Sequence, residues 1–318
     1  MLFFAKAIRN LAGKDNIQVM MPSALKAGDS IGIISAARKI SLAEIEAAIE
    51  IIKSWGLKAV IGETIGAAHF QFAGDDEFRR KDLQHMLDDD SIKAILFARG
   101  GYGSVRIIDD IDWRKFLKHP KWLCGFSDTT VIHSHLLSVY NIPSVHSIMG
   151  INFSTATFDS IESLRKILFG QKVSYEIPAH ELNRKGKAKG MLCGGNLSLI
   201  YSLIGTSSDV DTSGKILFIE DIDEHLYHVD RMIMALKRAG KFEHLAGLVA
   251  GYFNDMKNKD ESNPYGKSAY EIIAEHISEF DFPLCFGFPA GHEPDNRPLV
   301  MGAEWKLEVG EKTKLIQI

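Results

Sequence analysis

The 318-residue sequence is poor in cysteine. Cys124, Cys193 and Cys285 lie far apart in no metal-type spacing, which argues against a thiolate metal site, and their odd number fits a reducing compartment. It has no basic tract. Lys and Arg are spread along a chain of formal net charge −4, which removes the electrostatic footprint of a nucleic-acid partner. No apolar run approaches the length of a membrane span, so no membrane partner is expected. There is also no internal repeat and no low-complexity segment. What remains is an average globular composition, 46% hydrophobic and 25% charged, long enough for two domains with real cores.

Residues 1–20 read differently from the rest and are taken as an N-terminal extension. Leu2-Phe3-Phe4-Ala5 is too short for a signal-peptide core, and Lys6 and Arg9 break the apolar character directly after it. A loose tail, or a start codon upstream of Met20 or Met21, accounts for it better than a transit peptide. The expected location is the cytoplasm.

From residue 30, short apolar runs alternate with helical periodicity. Strands are expected at 30–35, 58–61, 92–97, up to Phe126, and at 144–146, with helices at 41–55, 77–87, 104–108 and 129–140 between them. Such alternation implies a parallel sheet covered on both faces, with ligands beyond the carboxyl ends of its strands. Gly170-Gln171-Lys172 and Asn183 to Lys187 are polar and turn-rich. The expected division is therefore 21–165 as an N-terminal α/β domain, 166–187 as a linker, and 188–318 as a C-terminal α/β domain with more irregular β structure.

Several segments could carry chemistry. Gly125-Phe126-Ser127-Asp128-Thr129 ends an apolar run and meets the first half of the G-x-S-x-G nucleophile elbow, but Thr129 breaks the second half. Ser127 can thus be a nucleophile or simply a helix cap. Arg99-Gly100-Gly101-Tyr102-Gly103 follows a strand on the same rim, and glycines there let a backbone present N–H groups to an anion. It matches neither G-x-G-x-x-G nor a P-loop. Glu220 ends the apolar strand 216–219 and could orient a histidine, or belong to a solvated acidic loop. Asp223, Glu224, His225 and His228 allow a metal reading that no known spacing supports. His292 stands in a Pro/Gly loop after an apolar run. His146 is a lesser candidate, while His133 and His135 suit helix-surface or packing positions. Ser127, Glu220 and His292 give the order nucleophile, acid, base, with acid and base on the second domain.

The sequence resembles the LD-carboxypeptidase family of serine peptidases over about residues 20–310. The resemblance runs through "LKAGDSIGIISAA", "FAGDDEFRRKDLQ", "ARGGYGSVRIIDDID", "GFSDTT", "GMLCGGNLSLI", "ILFIEDIDEHLYHVDRM" and "FPAGHEPDNRPLVMG". It implies a doubly wound, flavodoxin-like N-terminal sheet and a smaller β-rich α/β C-terminal domain, often in a homodimer. It implies a catalytic triad of Ser127, Glu220 and His292, with Glu224 as the competitor to Glu220. It implies an oxyanion hole from the backbone N–H groups of Gly101 and Asp128, and neither metal nor other cofactor. Arg99 and Arg106 are candidates for anchoring acidic groups of a ligand, with Tyr102 beside them, although Arg106 could instead lie on the outer face of its helix. The reaction implied is hydrolysis of the L,D bond before a terminal D-alanine in a murein tetrapeptide, a small peptide substrate. The alternatives are a peptidyl or aminoacyl nucleotide of the microcin type, or a two-domain ligand-binding protein without catalysis. The chain departs from the family in residues 1–20 and in Asp223-Glu224-His225-Leu226-Tyr227, where many relatives carry a small residue and a proline.

Overall fold

The computed structural model describes residues 20–318, so the reading of residues 1–19 lies outside the described residues. Strands β1 (Ser30–Ile34), β2 (Lys58–Ile61), β3 (Ile92–Phe97), β4 (Trp122–Gly125) and β5 (Ser144–His146) pair in parallel in the order β2-β1-β3-β4-β5. Nearly every residue of β1, β3 and β4 is buried, as expected where helices cover both faces. On one face Ile31, Ile33, Leu96 and Cys124 share a core with Ile52 of helix α1 (Glu46–Ser54); on the other, Ile34, Ile95 and Phe97 pack with Leu83 and Met86 of α2 (Asp76–Asp88). Each such aliphatic side chain contributes roughly 1.5–3 kcal/mol by leaving water.

The helix expected over 129–140 is built in three pieces. A 3-10 turn at Ser127–Thr129 leads into α3 (Thr130–His135), then a π-helical turn at Leu136–Tyr140 that stops at Asn141 with φ +54°. The helix expected over 104–108 is instead two 3-10 turns, Ser104–Arg106 and Ile108–Asp110. Helix α4 (Phe158–Leu168) comes next, capped by Thr157 accepting from Ser160 N.

The second sheet combines two styles. It contains β6 (Ser174–Pro178), β7 (Gly186–Asn196), β8 (Ile216–Ile222), β9 (Gly247–Asn254) and β10 (Leu284–Cys285), of which β10-β9-β8-β7 are parallel. The chain then re-enters the first sheet as β11 (Leu299–Met301), antiparallel to β5. It returns through β12 (Glu304–Val309) and β13 (Lys312–Gln317), completing the order β10-β9-β8-β7-β12-β13-β6. Helices α5 (Leu197–Ser202), α6 (Leu226–Arg238) and α7 (Ala269–His276) cover the parallel half. Helix α6 buries Val229, Met232, Ile233 and Leu236, the i, i+3, i+4, i+7 stripe of an amphipathic helix.

Two boundaries differ from the sequence reading. Residues 166–187 hold the end of α4, all of β6 and the start of β7, so this stretch is part of both domains and not a free linker. Residues 299–301, expected in the second domain, belong to the first sheet. The two domains also meet side by side at α3 and β7. Asn196 N donates to Thr130 Oγ1 at 3.0 Å, and a Cβ on Gly195, at φ +142°, would fall 2.5 Å from that oxygen. Among the described residues no helix is long and apolar enough to cross a membrane.

Candidate active site

Strand order 2-1-3-4-5 reverses direction between β1 and β3, and the crevice opens beyond the carboxyl ends of the strands there. Ser127 lies on that rim, two residues past β4. Its φ of +56° is a left-handed conformation that a non-glycine residue adopts at a cost of order 1–3 kcal/mol. Strain of that kind lifts a side chain out of a strand-to-helix corner. The loop after β3 runs against it: a Cβ on Gly100 would sit 3.3 Å from Ser127 Cβ and 3.4 Å from Oγ. On the other side, the ring of Phe126 packs on the ring of His292 with centroids 4.7 Å apart. Ser127 and His292, 165 positions apart in sequence, thus border one another through Phe126.

Glu220 is fully buried in β8, and its Oε2 receives His292 Nδ1 at 2.8 Å. Burial works against an imidazolium at His292, but the charge and hydrogen bond of Glu220 outweigh it and raise the histidine pKa above its ordinary value. A carboxylate on Nδ1 places the ring proton there and leaves Nε2 to accept a proton. Glu224, the competing acid, is committed elsewhere: it bonds His228 Nδ1 at 2.6 Å, one turn along the chain. Asp223 pairs with Lys257, and His225 stacks on Tyr227 at 5.5 Å. The acidic stretch after β8 is therefore a set of local pairs, and Glu220 is the carboxylate that meets His292.

The amides of Gly101 and Asp128 donate to no protein acceptor among the described residues, so two N–H groups are open beside Ser127. Gly101 has φ +108°, and a Cβ there would fall 2.4 Å from Arg38 Cδ. The Asp128 carboxylate, for its part, accepts from Gly103 N at 3.3 Å and Ser104 N at 2.9 Å. Burial pushes its pKa up, against the pull of those hydrogen bonds and of the Arg79 charge.

The other expected residues fall in distinct places. Tyr102 is half-exposed and rests near the ring of Phe72, at 6.2 Å. Arg99 reaches Glu44 at 3.7 Å. Arg106 is bonded in bidentate fashion to Asp76, at 2.6–2.9 Å, and so has a partner of its own at the start of α2. His146 is wholly buried between Phe126 and Phe218, with centroids 5.8 and 4.9 Å away. Burial and the neighbouring His133 and His292 hold its pKa well below the ordinary value, so it forms a neutral floor behind the site. His133 is a packing residue, bonded to Ser144 Oγ and Gly125 O at 2.8 Å each.

Sequence reasoning missed the buried partner of Glu220's strand. Asp221 accepts from Asn196 Nδ2 and Ser198 N, both at 2.9 Å, and thereby ties β8 to the start of α5. Burial and the charge of Glu220 push its pKa up to about 7. Both faces of β8 are covered, so the adjacent carboxylates of Glu220 and Asp221 both lie inside the protein. The segment "GMLCGGN" held the other half of this pair in plain sight.

A serine on a strained corner, a carboxylate-held histidine and two open amides can together carry out acyl transfer through the serine hydroxyl. Comparison with known proteins points to one family. Models of the LD-carboxypeptidase N-terminal and C-terminal domains match residues 31–147 and 189–307. A protein of Bacillus subtilis (strain 168) described as "Probable murein peptide carboxypeptidase" is 34% identical over 306 residues, covering 93% of this chain and 94% of that one. The crystal structure of muramoyltetrapeptide carboxypeptidase from Oxalobacter formigenes superposes with a TM-score of 0.81 at 28% identity, covering 91% of this chain and 98% of that one. The wild-type microcin C7 self-immunity protein shares the fold, with a TM-score of 0.85 at 21% identity over 94% of this chain and 98% of that one.

Proposed function

The chain belongs to the LD-carboxypeptidase family, whose members are carboxypeptidases, and on that footing we propose that it releases the terminal D-alanine of murein tetrapeptides by a serine mechanism during cell-wall recycling. The observation that carries the mechanism is the Glu220–His292 bond of 2.8 Å beside a strained Ser127. His292 Nε2 takes the Ser127 proton as Oγ attacks the carbonyl of the L-centre. The N–H groups of Gly101 and Asp128 receive the oxyanion. His292 then protonates the leaving amine, D-alanine departs, and water attacks the acyl-enzyme with His292 again as base. Support for the substrate comes from the names of the Bacillus and Oxalobacter relatives. The reading includes a cytoplasmic location, supported by three free, buried thiols that suit a reducing compartment, and a homodimer. Light scattering of the purified protein tests the dimer.

The deciding experiment incubates the purified protein with a murein tetrapeptide and follows free D-alanine, beside Ser127→Ala. Wild type should release D-alanine and the variant should not. No release from wild type overturns the substrate, and release that survives in the variant overturns the mechanism.

A further inference from the structure

The proposed oxyanion donors come from two separate loops, and one buried network joins them. Gly103 stands at its centre, with φ +153°. Its N–H donates to Asp128 Oδ1 at 3.3 Å, and Asp128 Oδ2 takes the next amide, Ser104, at 2.9 Å. Its C=O accepts from Arg79 Nη1 at 3.1 Å, and the same nitrogen reaches Ala36 O. Arg79 Nη2 closes on Asp76. Both charged side chains are withdrawn from water, Arg79 at 0% and Asp128 at 1% exposure. A Cβ on Gly103 would fall 2.6 Å from Arg79 Nη1 and 2.9 Å from Ala37 Cα, so the clamp closes only on glycine.

We propose that Asp128 and Arg79 are positioning residues that fix the spacing between the Gly101 and Asp128 amides, making the oxyanion hole a single rigid unit. Asp128 thus acts twice: its N–H faces the oxyanion, and its carboxylate holds the loop that supplies the other donor. Donors already in place cost no reorganisation when charge develops, whereas a glycine loop free to drift would. Arg79 and Asp128 are buried, so the loss of their contacts should appear in the chemical step. The proposal rests on Ser127 as nucleophile and not on the identity of the peptide.

The test uses two variants and two reactions. Asp128→Asn removes the charge that Arg79 faces and turns an amide group toward N–H donors; Gly103→Ala wedges the clamp while keeping every charge. D-alanine release gives kcat and KM, and phosphonylation of Ser127 by a fluorophosphonate reads the oxyanion hole without any peptide. Both variants should lose roughly 10²–10³-fold in kcat and in phosphonylation rate, with KM within about threefold of wild type. In a Ser127→Ala background, Asp128→Asn should leave tetrapeptide affinity unchanged by calorimetry. A folded variant that phosphonylates at the wild-type rate, or that loses peptide affinity in step with rate, overturns the clamp. If both variants fail to fold, the network belongs to folding and the proposal is overturned. Wild type that phosphonylates yet releases no D-alanine sinks the substrate reading alone, and the variants still decide the clamp by labelling. Wild type that does not label at all sinks both.

Discussion

Gly291 leaves room for Glu220: a Cβ at position 291 would lie 2.9 Å from Glu220 Oε2 and 3.2 Å from its Cβ. The same residue has φ +128° and donates its N–H to Asn296 Oδ1 at 3.1 Å. The histidine therefore comes directly after a glycine because the carboxylate must come up from below to reach Nδ1. Gly291→Ala should lower kcat by on the order of 10²-fold with a smaller change in KM, since the imidazole loses its orientation while the peptide contacts remain. Steady-state kinetics and a thermal melt check this together. A melt that falls with kcat unchanged would show that the glycine serves only the fold.

Glu220→Gln separates orientation from charge. The carboxylate raises the pKa of His292, so the acid limb of kcat/KM should lie above the ordinary imidazole value of 6.5. Glutamine removes the negative charge that favours the imidazolium, so the limb should move to lower pH. The plateau should fall by on the order of 10⁴-fold, the scale seen when a triad acid is replaced by its amide. A pH–rate profile with an unmoved limb would detach Glu220 from the base.

Asp221 makes stability depend on pH in a direction unusual for an aspartate. Its folded pKa of about 7 lies above the ordinary 3.8, so between about pH 4 and pH 7 the folded state holds a proton that the unfolded state releases. Stability contributed by this group is complete below pH 4 and declines as pH rises to 7. The destabilisation caused by Asp221→Asn should therefore be larger at pH 5 than at pH 8, by about 1–4 kcal/mol. Urea titrations of both proteins at the two pH values measure it, and equal penalties would refute it.

Glu224 and His228 form a local pair with side chains 22% and 29% exposed. Glu224→Gln should leave kcat within about threefold of wild type and cost less than about 1 kcal/mol of stability. A collapse of activity in this variant, with Glu220→Gln mild, would transfer the acid's role to Glu224.

Much of this candidate site was legible in the sequence because its proposed nucleophile and acid each mark the end of an apolar run. Ser127 comes after Trp122–Gly125 and Glu220 after Ile216–Ile219, and a buried strand that stops at a polar residue places it on the rim. Asp221 was hidden because an acidic run after an apolar strand reads as a solvated loop, whereas here the strand continues through it with both faces covered. Strand β6 was passed over as turn-rich chain although Tyr175 and Ile177 alternate inward between exposed neighbours. Strand β11 is a bare three-residue apolar run that pairs with β5, more than 150 positions earlier, and only tertiary contact assigns it to the first sheet. The role of the Asp128 carboxylate was likewise invisible, since a helix cap and a strut between loops call for the same residue.

The path of the chain around His292 has a last consequence. Upstream, Tyr252 N donates to Ala290 O and Phe288 N donates to Ala250 O, which sews this segment to the second sheet. Downstream, Leu299 pairs with His146 of the first sheet. His292, the proposed base, thus rides on a seam stitched at either end to a different half of the molecule. Neither half could be excised as a working module: the first would be left with an unguarded β5 edge, and the second would lose the anchor that aims its histidine.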